Sequence, residues 1–128
     1  SGDVTLDVDL TAVGTGITIN ANQITNTVTS STATAYTLVA GDEGKILQFT
    51  AASATITVGT ATDLASGERI DILDDGGGMT VSAESTAVTL NGAGTAGTAY
   101  TVGAQYEAVT ILSLGSDSYR IIGNITAV

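Results

Sequence analysis

Apolar and polar positions alternate with a period of two along much of the chain. The opening run Val4-Thr-Leu-Asp-Val-Asp-Leu10 sets the pattern. Val4, Leu6, Val8 and Leu10 fall on one face and Thr5, Asp7 and Asp9 on the other, as in a half-buried strand with an acidic outer side. Gly14-Thr-Gly16 interrupts it, Ile17-Thr-Ile19 resumes it, and Asn20-Ala-Asn22 reads as a polar turn. Residues 24–31 stay extended but carry few large side chains. Residues 1–31 therefore read as a thin β stem whose single apolar face needs a partner.

From Ala35 the alternation is denser. Strands are predicted over 36–39, 45–51, 55–58, 69–73, 79–83, 88–90, 100–102, 106–114 and 119–122, with turns of Gly, Asp, Ser and Ala between them. Ala40-Gly-Asp-Glu-Gly44 predicts a hairpin-like link and Asp74-Asp-Gly-Gly-Gly78 a tight turn, whereas 92–97 reads as a loop. The longest helical candidate, 61–65, is too short to stand alone. The chain is accordingly expected to be all-β: a stem at 1–31 followed by a sandwich, jelly-roll-like, at 32–128. With no fixed period, a sandwich is favoured over a repeat solenoid.

One predicted strand is apolar on both faces. Residues 106–114 place Tyr106, Ala108, Leu112 and Leu114 on one side, Val109 and Ile111 on the other. Such a strand is either central and covered twice or has one face against another subunit. The second arrangement, together with the stem, predicts a homotrimer with Val4, Leu6, Val8, Leu10, Val109 and Ile111 at its interface.

Charge narrows the partners. Thirteen acidic residues face three basic ones, a formal net charge of −10, so no basic patch exists to follow nucleic acid or an anionic membrane. The excess keeps a β-rich chain soluble and apart from its neighbours. Thr, Val and Ile are abundant and favour strands. The chain has no Cys, His, Trp or Pro. This removes disulfides, thiolate metal sites and the His that would activate a Ser nucleophile. No run approaches the roughly 20 apolar residues of a membrane helix, so no membrane insertion is expected. The opening Ser1-Gly2-Asp3 suggests a processed product or a fragment of a longer polypeptide.

Several motifs together carry a resemblance: Tyr36-Thr-Leu, Asp42-Glu-Gly44-Lys45, Thr55-Ile-Thr-Val58, Ser66-Gly-Glu-Arg-Ile70, Gly78-Met-Thr-Val81 and Ser116-Asp-Ser-Tyr-Arg-Ile-Ile-Gly123. They resemble a β-domain of bacteriophage tail-fibre, head-fibre and related virion proteins, and Gly16-Ile-Thr-Ile-Asn-Ala-Asn22 looks like the stem repeats that precede it. The chain departs from that pattern in carrying Tyr119 where Trp is frequent and in lacking Pro between Ala51 and Ala61. The resemblance implies a homotrimeric fibre, knob or capsid-decoration protein on the virion surface, partnered by other virion proteins and contributing to host attachment. The alternative is a carbohydrate-binding adhesin module using Asn91, Asp117 and Tyr119 on the loops at 91–97 and 115–118 against a host-surface glycan.

The remaining motifs do not point to catalysis or metal binding. Asp71, Asp74 and Asp75 beside Gly76–Gly78 are the most calcium-like group, yet the spacing lacks an EF-hand's alternating acids and closing Glu. It reads as a glycine turn with solvated carboxylates, and no metal or cofactor is expected. Asp7 and Asp9 on one strand face are a weaker metal candidate. Paired carboxylates for glycoside hydrolysis lack aromatic platforms beyond Tyr36, Tyr100, Tyr106 and Tyr119, each expected to pack its ring in the core. No enzymatic role is expected. Thr-x-Thr pairs such as Thr55-x-Thr57 are too irregular along the chain for an ice-binding array and read as β-branched filler.

Overall fold

The computed structural model describes residues 26–128. Val4, Leu6, Asp7, Val8, Asp9 and Leu10, and with them most of the expected stem, lie outside the described residues. Among the described residues, twelve short strands form two sheets packed face to face. In chain order they are β1 (Val28–Ser31), β2 (Ala35–Thr37), β3 (Ile46–Phe49), β4 (Thr55–Val58), β5 (Arg69–Asp74) and β6 (Thr80–Ala83), followed by β7 (Thr89–Gly92), β8 (Thr95–Gly97), β9 (Ala99–Val102), β10 (Glu107–Gly115), β11 (Ser118–Gly123) and β12 (Ile125–Ala127). The seven-stranded sheet runs β1-β3-β5-β10-β11-β7-β8 and the five-stranded sheet β12-β9-β6-β4-β2.

The expected all-β sandwich is present; its winding is the new element. The first six strands alternate between sheets, so β1, β3 and β5 stack in parallel in one layer and β2, β4 and β6 in the other. This half is a flattened coil, closed off by the antiparallel strands β9, β10 and β12. Residues 40–44 consequently do not form a hairpin: β2 and β3 belong to opposite sheets, and a 3-10 turn at Ala40–Asp42 carries the chain across. The nearly buried carboxylate of Asp42 fixes that crossing, accepting hydrogen bonds from the Tyr36 hydroxyl (3.0 and 3.2 Å) and the Val39 N–H (3.0 Å) and an ion pair from Lys45 (3.4 Å). The expected boundary at 31/32 also moves, because Val28–Ser31 joins the sandwich as β1.

Alternation decides which side chains fill the core. Leu47 and Phe49, Ile70 and Ile72, Val109 and Ile111, and Tyr119 and Ile121 point inward from the seven-stranded sheet. Ile56, Val58, Val81, Tyr100 and Val102 meet them from the other. Each fully buried aliphatic side chain contributes about 1.5–3 kcal/mol. β10 pairs on both sides, with β5 and β11. Val109 and Ile111 are 2% and 0% exposed against the opposite sheet. They are core residues, which corrects the expectation that they face a partner subunit.

The two outer faces differ. On the five-stranded sheet, register aligns Ala35, Thr55, Thr80, Thr101 and Thr126 in one row and Thr37, Thr57, Ser82 and Ala99 in a second. Sequence spacing that is irregular along the chain thus becomes two regular rows across the sheet. The outer face of the seven-stranded sheet is more varied. It exposes Val28, Leu114 and Ile122, and one of its rows runs Arg69, Leu112, Arg120, Asn91, Ala96.

Candidate functional site

The row through Arg120 leads to the edge hairpin β7–β8. Its register pairs Asn91 with Ala96 and Gly92 with Thr95, leaving Ala93-Gly94 as a two-residue turn. Both turn residues have positive φ, 51° and 71°, the geometry of a type I′ turn that matches strand twist. The expected loop at 92–97 is therefore a hairpin. A residue–Gly pair flanked by strand-forming residues is a turn cue, but the small Ala and Gly side chains around it carry no alternation to reveal β8.

A buried hydroxyl holds this hairpin. Tyr100, on β9 of the other sheet, is fully buried, and its Oη accepts from the Gly92 N–H at 2.9 Å. The same oxygen lies 2.9 Å from the Thr95 carbonyl and 3.1 Å from the Leu90 carbonyl, either of which accepts its single proton. The approach is close enough to require glycine on both sides: a Cβ at Gly97 would stand 2.7 Å from Tyr100 Oη, and one at Gly92 2.6 Å from Ile121.

Between the hairpin and β11 lies a cavity of about 440 Å³, lined by residues 91–96 with Arg120 and Ile121. Asn91 and Arg120 are register partners on adjacent parallel strands, so both side chains stand on the outer face with roughly 4.8 Å between their strands. Arg120 is exposed and is the single charged side chain of the lining. The two ion pairs among the described residues are Lys45 with Asp42 at 3.4 Å and Arg69 with Asp71 at 4.0 Å; Arg120 is in neither. Guanidinium and carboxamide together offer a fork of N–H donors. The lining is therefore suited to binding an acceptor-rich group.

Of the three ligand-loop residues expected from sequence, Asn91 lines the cavity and the other two do not. Tyr119 is fully buried, its hydroxyl accepting from the Leu64 N–H at 3.5 Å. It is a core residue because it falls on the inward register of β11, a correction to its expected loop role. Asp117 sits in the β10–β11 turn, at the other end of the β7–β11 pair, where its carbonyl accepts from Thr89. Arg120 escapes a reading of the sequence, since nothing local announces that it will stand beside Asn91.

The acidic turn also resolves differently from its reading as solvated. Asp74 is fully buried and accepts from the backbone of Gly77 (2.7 Å) and Met79 (3.0 Å). Asp75 accepts from Gln48 (2.5 Å) and Asp71 from Thr110 (2.6 Å). The three carboxylates are thus committed to separate protein donors, and among the described residues no group of three or more Asp, Glu, His or Cys is placed to hold a metal ion. No protein-family model matches the chain, and no curated protein matches it.

Proposed function

We propose that the chain is a phage virion structural protein, a fibre, knob or capsid-decoration component that projects from the particle and contributes to host attachment. The observation that carries this reading is the outer face of the seven-stranded sheet. There Val28 and Ile122 stand about half exposed in one outer row that also carries Ile46, apolar side chains that association would cover. A homotrimer packed on that row would bury it around one axis and leave the neighbouring row of Arg69, Leu112 and Arg120 at its open rim; Ile122 takes the interface role first expected of Val109 and Ile111. The resemblance of the turn motifs to virion β-domains supports the same reading. Labelling purified particles with an antibody to the chain tests it, and light scattering on the isolated chain tests the trimer. Particle labelling with a trimeric mass is the expected outcome, and a monomeric mass at micromolar concentration would remove the trimer.

The alternative, a carbohydrate-binding adhesin module at a cell surface, is favoured by one specific feature, the Arg120–Asn91 cavity. The two readings differ in where the chain resides, and the particle-labelling experiment separates them.

A further inference from the structure

We propose that the cavity of the β7–β8 hairpin binds an acidic glycan, with Arg120 and Asn91 holding the carboxylate of one sugar and Arg69 meeting a second carboxylate across Leu112. The proposal deepens the attachment part of the function given above and rests on it.

Charge placement points to the ligand. In a chain with thirteen acidic and three basic residues, most exposed cations would be expected beside a carboxylate. Arg120 instead stands between Leu112 on β10 and Asn91 on β7, both uncharged. Among the described residues no carboxylate pairs with this guanidinium, and a guanidinium with a carboxamide beside it is a receptor for a planar anion: the fork grips both oxygens of a carboxylate, and the amide reaches one of them or a neighbouring hydroxyl.

The cavity's shape and lining narrow the ligand class. A volume of about 440 Å³ lies within the range of small-ligand pockets and accommodates a sugar ring or two. Neutral sugars are commonly held by stacking on an aromatic face, and among the described residues the lining contains no aromatic one. Tyr100 is committed beneath the hairpin and Tyr119 to the core. Recognition here therefore falls on charge and hydrogen bonds. The Tyr100 hydroxyl joins three backbone groups of the hairpin and pre-organises it, so little ordering cost falls on binding.

Arg69 extends the site. It lies in the same outer row as Arg120 with Leu112 between them, two strand spacings or roughly 10 Å away. That separation is close to the length of a disaccharide, so a polymer bearing a carboxylate on every second sugar meets both arginines and lays its intervening ring on Leu112. Asp71 lies 4.0 Å from Arg69 and competes there, which makes Arg120 the stronger of the two contacts.

The test is calorimetric titration of the full chain with a hexasaccharide of alternating uronate and N-acetylhexosamine, its carboxyl-reduced form, and a glutamate hexapeptide. The acidic sugar is expected to bind at least about tenfold more tightly than either control, and Arg120→Gln to weaken it about tenfold. Arg69→Gln should weaken the hexasaccharide but leave a disaccharide unaffected. Circular dichroism on each variant establishes that it is folded; if Arg120→Gln is not, Asn91→Ala serves, with an expected loss of severalfold. The proposal is overturned if the reduced sugar binds equally, if the peptide binds more tightly, if folded Arg120→Gln binds unchanged, or if the folded wild type binds no acidic sugar. A chain that labels particles but binds no acidic sugar ends this inference and leaves the virion reading standing. A chain that binds but is absent from particles does the reverse.

Discussion

The carboxylate of Asp74 accepts a hydrogen bond from the backbone N–H of Met79 across the glycine turn, at 3.0 Å and wholly out of solvent. Its second oxygen takes the Gly77 N–H at 2.7 Å. Gly77 and Gly78 between them adopt positive φ, 80° and 77°, a conformation that costs a side-chain-bearing residue. One acid and two glycines thereby move the chain from β5 in one sheet to β6 in the other.

Removing that acid is expected to destabilise the fold strongly. Asp74→Ala leaves two donors without their acceptor, and at roughly 1.5–3 kcal/mol for each hydrogen bond to a charged group the loss should be about 3–6 kcal/mol. Asp74→Asn keeps one acceptor oxygen and should lose less. Urea denaturation of both variants measures the difference, and equal midpoints for Asp74→Ala and wild type would contradict this account.

Tyr100→Phe separates the hydroxyl of the hairpin from the ring of the core. The ring remains buried, so the expected cost is that of the lost hydrogen bonds, about 1–3 kcal/mol. Hydrogen exchange at the Gly92 amide should accelerate more than exchange at Ile111. A uniform acceleration across both sheets would show that the hydroxyl does not hold the hairpin in particular.

Substitutions on the two faces of β10 and β11 should part company. Ile111→Asp places an uncompensated charge in the core and is expected to abolish folding, seen as loss of the cooperative melt. Ile122→Asp, on the outer face, should leave the melt within about 0.5 kcal/mol while reducing the mass measured by light scattering. Retention of the wild-type mass would place the interface elsewhere.

Alkaline pH should weaken the fold through tyrosine. Burial pushes the Tyr36 hydroxyl above its ordinary pKa, and the Asp42 carboxylate that accepts its hydrogen bond adds to this. Tyr119 is raised as well, chiefly by burial, with smaller contributions from Asp117 and Asp63 and an opposing one from its backbone bond to Leu64. The folded state therefore holds these protons more tightly than the unfolded chain. Their contribution is complete below about pH 10, where unfolded tyrosine titrates, and is lost as pH rises through the higher folded values. The urea midpoint should fall above that pH, less steeply in Tyr36→Phe, and an alkaline midpoint that stays level would refute the assignment.

Local alternation makes the strands and their inward faces legible in the sequence itself. Ile70 and Ile72 are the clear case, flanked by Arg69 and Asp71 along the chain and fully buried in the fold. Which strand lies beside which is not legible there, because pairing is a contact between distant residues and leaves no mark in either strand alone. β1, β3 and β5 begin at residues 28, 46 and 69; their unequal connections hide the coil that stacks them. The same blindness covers Arg120 and Asn91, and the threonine rows of the five-stranded sheet, which arise from register alone.

The coil has a mechanical consequence. β1 lies at one margin of its sheet, and β12 at the opposite margin of the other. Tension applied between these two strands is therefore directed across the ladders, and the backbone bonds are loaded one row after another as in peeling tape. Among the described residues β1 and β12 are each held on one side alone, by β3 and by β9, and these two would detach first. Force directed along the strands instead loads every bond of a ladder at once, so the sandwich resists shear far better than it resists being unrolled.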